Sequence, residues 1–364
     1  MFRELKTLTV RMIAGANVVT VVLMLLVGYS DRLSPEHFPV LSTIGLLFPV
    51  FLLANLCFLF FWLVFKVRYA LIPFAGFLLC YFPVRTYFPV NLTGEETPDG
   101  SIKILSYNTL SFAEGDTDAD GVNRVLAYVH RQDADIVCLQ EAMPNERITE
   151  QMDSLLRQQY PYLRCVKHPS GGNALMVLSK FPILHSELVP YESKGNMTAA
   201  FTLSVHGEKV LLLNNHLETT GLSLEERHEF KSLVKGHLDT GEAERTSKLL
   251  FVKLGESAKR RAPEAEAVAR FVRQHRGESI ILCGDFNDGP ISYAHRTVAK
   301  ELTDCFVAAG NGLGISYNRG GFYVRIDNIM CSDDWDPCWC RVDNEIAASD
   351  HYPIVCRLKK RDNH

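Results

Sequence analysis

The stretch IILCGDFNDGP, residues 280–290, changes character in a single step. The apolar run Ile280-Ile281-Leu282-Cys283 meets Gly284, and Asp285, Asn287 and Asp288 follow before Gly289-Pro290 closes the segment. A short apolar run bounded by turn residues reads as a buried strand. Such a strand delivers its terminal carboxylates and amide to the rim of a sheet. Other strand-like runs end in the same way. Ile102–Tyr107 ends at Asn108, Ile136–Leu139 at Gln140-Glu141, and Val210–Leu213 at Asn214-Asn215-His216. Ile326 precedes Asp327-Asn328, and Ser349-Asp350-His351 precedes Tyr352-Pro353-Ile354. Layered α/β domains build their sites from strand ends and loops of this kind.

Further strands are expected at Asp135–Leu139, Ala174–Leu178, Ala199–Val205, Val210–Asn214, Ser279–Cys283, Ile326–Met330 and Pro353–Leu358, with a helix at Val122–Arg131. Residues 222–275 are helical in composition, with interruptions expected at Gly255 and Pro263. Many short strands with interspersed helices predict a layered α/β domain over residues 101–364, carrying a helical insertion at 222–262. The segment 91–100, NLTGEETPDG, has the polar, turn-rich composition of a linker.

The first ninety residues differ in kind. Met12–Tyr29 carries no charge, Phe38–Phe65 runs without one, and Tyr69–Val84 lies between Arg68 and Arg85. A helix needs about 20 apolar residues to cross the hydrocarbon core. The first two segments are expected to span. The third is short and holds Pro73 and Pro83, so it is tilted, re-entrant or interfacial. The lipid bilayer is therefore an expected partner, and no protein partner is expected. Arg3, Lys6 and Arg11 precede the first span, and Lys66 and Arg68 lie between the second and third. With three crossings, the positive-inside rule places the domain on the non-cytoplasmic side; with two, because the third segment does not cross, it places the domain inside.

Charge narrows the chemistry. The chain has 38 Lys and Arg against 42 Asp and Glu. Residues 1–90 hold seven of the former and three of the latter, which leaves the remainder at a net −8. An acidic domain does not favour general binding to polyphosphate backbones. The ten cysteines show no zinc-type spacing. Glu, Asp and Asn oxygens instead suit a hard divalent cation such as Mg²⁺ or Mn²⁺. His and Asp together can move protons. Neither a Gly-rich nucleotide fingerprint nor a strand–Ser–helix nucleophile elbow is present. Metal-assisted attack of water on a phosphoester fits best.

In order along the chain stand SYNTL (106–110), LQE (139–141), NNHLE (214–218), GDFND (284–288), RIDNI (325–329) and SDHYPI (349–354). This series resembles the endonuclease/exonuclease/phosphatase superfamily, as does GGNALMVLSKFPI (171–183). The resemblance spans roughly residues 101–360 and implies a four-layered α/β sandwich, two packed mixed β-sheets flanked by helices. It implies that Glu141 is the main metal ligand, with Asn108 and Asp350 completing the metal's surroundings. It implies that Asp285 orients or deprotonates water, that Asn287 holds a phosphate oxygen, and that His216 stabilises the transition state. His351, oriented by Asp327, would be the acid/base partner, and Asn173 matches a position near substrate. Taken singly, Asp285, Asn287 and Asn108 are ordinary turn residues; their joint occurrence carries the inference.

Among phosphoesters, the apolar segments favour a lipid headgroup. A membrane-tethered nuclease is the alternative, and an inactive binding scaffold a more remote one. Within the insertion, Arg245–Arg261 holds six basic residues against Glu256 alone. It is expected to frame the mouth of the site and face the membrane, or else to cap the domain with a solvated face.

Overall fold

A computed structural model describes residues 2–92, 94 and 97–361. The amino-terminal part comprises helices α1 (Phe2–Gly28), α2 (Pro39–Ser42), α3 (Phe48–Phe65), α4 (Leu71–Leu79) and α5 (Tyr81–Tyr87). The domain that follows contains two six-stranded sheets. The first has the order β11-β12-β1-β2-β4-β3, with β1 (Ile102–Asn108), β2 (Ile136–Gln140), β3 (Tyr162–Lys167), β4 (Ala174–Ser179), β11 (Trp335–Val342) and β12 (Ile354–Lys360). The second has the order β5-β6-β7-β8-β10-β9, with β5 (Ile183–Leu188), β6 (Met197–Val205), β7 (Glu208–His216), β8 (Ser279–Asp285), β9 (Thr303–Asp304) and β10 (Asp327–Cys331). The pairs β1–β2 and β7–β8 are parallel and the other pairings antiparallel, so both sheets are mixed.

The strands β2, β4, β8 and β10 are buried along their whole length. Their unbroken apolar runs follow from that, because a strand covered on both faces has no solvent side to fill with polar residues. Ile104, Cys138, Phe201, Leu212, Ile281 and Ile354 interdigitate between the sheets. On the outer face of the first sheet lie α7 (Arg124–Gln132) and α8 (Glu146–Leu155). There Leu126, Val129 and Ile148 cover Leu105, Val137 and Leu139. The Asn123 side chain accepts from the Val125 and Leu126 N–H groups and so starts α7 where the turn signals stop.

The second sheet is covered by α10 (Thr240–Gln274) and α11 (Tyr293–Ala299), while α12 (Cys305–Ala309) closes the end of the core between the sheets beside β11 and β10. The expected interruptions at Gly255 and Pro263 do not occur, since α10 runs through both. Ala262, Ala265 and Val268 are buried, and that packing outweighs local propensity. Gly255 has a different use. A Cβ there would stand 2.8 Å from the Pro39 carbonyl carbon, so the bare Cα lets α2 lie directly on α10. Before α10, α9 (Leu224–Val234) begins with a capping box from Ser223 and Glu226. The insertion is therefore two helices, the second continuing past residue 262 into the covering layer.

The two sheets and flanking helices are the expected α/β sandwich. Eight of its strands lie where the sequence places them, and β3, β5, β9 and β11 are additional. Each of the four is an edge strand. The β3 strand is largely exposed and shows little alternation.

Two amino-terminal helices are long and apolar enough to cross a membrane, Glu4–Arg32 and Ile44–Phe65. Val67–Leu79 with Tyr81–Tyr87 makes a third candidate, bent by 70°. The charge-free run Phe38–Phe65 is not one helix. It divides into α2, a 3₁₀ turn at Ile44–Leu47 and α3. A Cβ on Gly45 would sit 2.1 Å from the Ile291 carbonyl oxygen, so this turn rests on the sandwich itself.

The two long helices, α1 and α3, pack antiparallel through polar groups. Trp62 Nε1 donates to Asn17 Oδ1 at 3.0 Å, and Asn17 Nδ2 donates to Asn55 Oδ1 at 3.1 Å. Phe48, Cys80 and Pro83 all meet Gly28, at the end nearer the sandwich. At the far end Trp62 stacks on Tyr69. The sandwich end is pinned repeatedly. Arg296 pairs with Asp31 at 3.8 Å, Arg325 Nη2 donates to the Thr86 carbonyl at 2.8 Å, and Asn91 Nδ2 donates to the Val307 carbonyl at 3.2 Å. Of the expected linker 91–100, Thr93, Glu95 and Glu96 lie outside the described residues.

Candidate active site

The strand registers explain how distant residues meet. Asn108 ends β1 opposite Gln140, which precedes Glu141. His216 ends β7 opposite Asp285, the end of β8, and Asp327 opens β10 opposite that same Asp285. The two sheets are stitched at this edge by Asn214. It accepts from Gln140 Nε2 at 2.7 Å and donates to the Leu139 and Met176 carbonyls, each at 3.1 Å.

Gly284 allows the approach of Asp285. Its φ is +140°, and a Cβ there would lie 1.9 Å from the Asn215 carbonyl oxygen. Glu141 and Asn287 both have left-handed backbones, with φ of 50° and 49°. Beyond Asn108, the short turn α6 (Leu110–Ala113) is also left-handed, φ being positive from Leu110 to Glu114. Such conformations are uncommon outside glycine, and strain of this kind collects at functional sites.

Asn108 Nδ2 donates to Glu141 Oε1 at 3.0 Å and to Asp285 Oδ2 at 3.1 Å, joining the two carboxylates. His216 Nε2 lies 3.7 Å from each of the same oxygens. Its Nδ1 meets Asn173 Nδ2 at 3.1 Å. With that amide as donor, Nδ1 accepts and the His216 proton sits on Nε2, facing the carboxylates. His351 Nδ1 binds Asp327 Oδ2 at 2.8 Å, and its Nε2 stands 3.7 Å from Asp285 Oδ2. Asn287 gives its N–H to Asp285 Oδ1 at 2.7 Å and one amide hydrogen to the Leu217 carbonyl at 2.9 Å. Asp350 lines the same cavity as Glu141, Asp285, Asn287 and His351. All nine residues singled out in the sequence thus gather at this edge, Asn173 through its contact with His216.

Burial drives the electrostatics. It pushes Asp285 up to about 6, while His351 and His216 pull it back. Burial also raises Glu141, against the Asn108 amide. It lowers His216, so that ring is neutral. In His351 burial opposes the charge, but the Asp327 and Asp285 carboxylates outweigh it and carry the ring to about 10. The resting pair is an imidazolium beside a carboxylate.

The donor set fits a divalent cation. Glu141, Asp285 and Asp350 line one cavity, and Asp285, Asp327 and His351 place side-chain N and O atoms within 4.8 Å of one another. Asp327 Oδ1 is a buried acceptor without a hydrogen-bond partner. A buried acceptor left unmade is expensive, and hard oxygen donors of this kind suit a hard cation.

A family model described as "Endonuclease/Exonuclease/phosphatase family" matches residues 105–351. The chain belongs to that family. Its members are metal-dependent phosphoester hydrolases, and so is this protein. They use divalent metal ions. A second model, a domain of unknown function designated DUF8431, matches residues 10–87. No curated protein matches the chain. Among solved structures, a functionally unknown conserved protein from Enterococcus faecalis V583 superposes with a TM-score of 0.51 at 14% identity, covering 71% of this chain and 100% of that one. D. rerio TDP2 complexed with a single-strand DNA product gives 0.50 at 16% identity, covering 72% and 100%. At these identities the likeness establishes the fold.

Several residues of the site carried no signal in the sequence. Tyr317 sets its ring 5.1 Å from that of His351, edge-on. Arg227 Nη1 donates to the Tyr317 hydroxyl and lines the cavity. Thr43 and Leu46, from the turn that precedes α3, form part of the same wall. Tyr317 lies in a loop with no periodicity, and Thr43 and Leu46 sit in a run whose composition reads as lipid-facing. Within the insertion, Lys253 pairs with Glu226, Arg260 with Glu218 and Arg261 with Asp288.

Proposed function

We propose that the protein is a membrane-anchored, Mg²⁺-dependent phosphoesterase that hydrolyses a lipid headgroup phosphoester. One observation carries this reading: Thr43 and Leu46 of the turn entering α3 are part of the active-site wall. The catalytic cavity therefore opens at the base of a helix apolar enough to lie in a bilayer. An anchor that served only as an address would have no reason to line the cavity.

The residues divide the work. Glu141, with Asn108 and Asp350, would hold the cation, which supplies charge neutralisation to the phosphoryl oxygens when bound. Asp285 is placed to take a proton from water, being held by Asn108 and by the Asn287 N–H. His351, kept cationic by Asp327, faces the same space and can stabilise negative charge or deliver a proton. His216 offers an Nε2–H set by Asn173. Asn287 has a second amide hydrogen for a phosphate oxygen. The far end of the bundle carries Lys6, Arg11, Lys66 and Arg68, so the positive-inside rule supports a non-cytoplasmic domain.

The test uses the full chain in detergent micelles with Mg²⁺, against sphingomyelin, phosphoinositides, bis(p-nitrophenyl) phosphate, and single- and double-stranded DNA. Lipid turnover that disappears with EDTA and in Asp285→Ala and His351→Ala is expected. Cleavage of DNA beside inert lipids would replace this reading with a tethered nuclease. Metal binding with silence on every substrate would leave a scaffold.

A further inference from the structure

A second cavity, of about 350 Å³, adjoins the catalytic one. Its lining is largely apolar and draws on several separate stretches, among them Leu46 and Pro49 of the turn entering α3, Leu250 and Phe251 on α10, and Phe322 and Val324 in the loop before β10. Leu46, Leu254, Phe322 and Val324 line both cavities, so the two are continuous. Phe322 stands at the junction and stacks on Phe230 of α9, ring centres 4.0 Å apart.

The far end of this groove is equally informative. It reaches Pro49 and Tyr87, the second residue of α3 and the last of α5. There the groove meets the helices that the anchor sends toward lipid. Beside it the α2 segment leaves Phe38, Val40 and Leu41 exposed at 49%, 38% and 49%, an apolar rim at the base of the bundle. A soluble headgroup substrate would need no apolar passage between the carboxylates and the bilayer. Apolar surface of this kind, contiguous and leading into a site, marks a ligand that is itself apolar.

We infer that this groove is a subsite for one acyl chain of the substrate, letting a lipid keep its tail in apolar surroundings while its phosphate reaches Asp285 and His351. This rests on the lipid-headgroup reading above and adds the part of the molecule that the site would select. The anchor is then part of the specificity apparatus, since Leu46 and Pro49 are its own residues. Chain length should matter to turnover, because each methylene leaving water contributes to binding.

The experiment uses the full chain in nanodiscs made from phosphatidylcholine with a diazirine near the end of one acyl chain. Photolabelling is mapped by peptide. Turnover of long- and short-chain forms of the same lipid is compared with that of bis(p-nitrophenyl) phosphate. Ser247→Trp and Leu233→Trp fill the groove from its side and touch no catalytic residue. Expected are labels at Leu250, Phe251 and Phe322 that fade in the variants, with long-chain turnover reduced about tenfold, as when about two methylenes stay in water. Turnover of the soluble diester should be unchanged. Lipid hydrolysis that ignores chain length and both substitutions, without label in the groove, overturns the acyl subsite and leaves the lipid reading standing. Soluble-diester hydrolysis with no lipid turnover at all overturns both.

Discussion

Glu264, on α10, offers a worked case of buried charge next to the catalytic edge. Its Oε2 accepts from the Glu218 N–H at 2.7 Å, two residues beyond His216. The side chain is buried, and burial pushes it up to about 7, with the Glu218 N–H and Ser193 pulling down and the Glu218 charge pushing up. Below the ordinary value of 4.5 both folded and unfolded chains hold the proton. Between 4.5 and about 7 the folded state holds more protons than the unfolded one, so stability falls as pH rises. At about 1.4 kcal/mol per unit, the full loss above that window is roughly 3 kcal/mol.

Glu264→Gln keeps an acceptor for the Glu218 N–H and removes the charge. The variant should match the wild type at pH 4.5 and exceed it at pH 8. At about 2–4 °C per kcal/mol for a domain of this size, the gain in Tm is roughly 6–12 °C. Scanning fluorimetry of the full chain in detergent at both pH values measures it. A difference in Tm that is the same at pH 4.5 and pH 8 would refute the assignment of a buried, proton-retaining carboxyl.

Other perturbations are as direct. Gly284→Ala places a methyl group on the Asn215 carbonyl and forces β8 away from β7. We expect soluble-diester turnover to fall at least about a hundredfold, the scale of a displaced acid/base group, with weakened thermal stability in the same sample. Arg261 is buried and binds Asp288 and the Glu218 carbonyl. Arg261→Met should destabilise by about 1–3 kcal/mol, because it leaves the half-buried Asp288 and the Glu218 carbonyl without their donor. Adding Asp288→Asn should recover a measurable part of that loss in a double-mutant cycle, and no recovery would show that the pair does not interact. In the bundle, Asn17→Leu removes the partner of Trp62 and Asn55. Interhelical bonds of this type average about 0.6 kcal/mol, so folding should survive with a small drop in Tm, and unfolding of the bundle would be the contrary result.

Much of the catalytic edge was legible because a buried strand announces its own end. Ile280–Cys283 reads as a covered strand, and a covered strand followed by Asp285 delivers that residue to a rim. The same logic found Asn108, Glu141, His216 and Asp327. What it could not find was partnership across the chain. Hydropathy does not distinguish lipid from protein as the apolar neighbour, so Phe38–Leu47 looked like bilayer when Gly45 in fact rests on Ile291. Local propensity expected breaks at Gly255 and Pro263, where burial against the second sheet and α2 keeps α10 whole. Tyr317 lies in a loop without periodicity, and although Arg227 sits on α9, the two meet only through a tertiary contact that no sequence spacing announces. Strand β3, with most of its side chains in solvent, lacks the alternation by which strands are recognised.

The pins at Asp31, Gly45, Thr86 and Asn91 have a kinetic consequence. A domain on a loose tether sweeps a hemisphere and meets whatever diffuses through it. This one is mounted at a fixed height and tilt above the ends of its helices. For the lipid substrate proposed above, its search is two-dimensional: it waits in a plane for molecules that share that plane. The relevant concentration is then a surface mole fraction, and diluting the bulk solution should leave its rate unchanged so long as the composition of the surface stays the same.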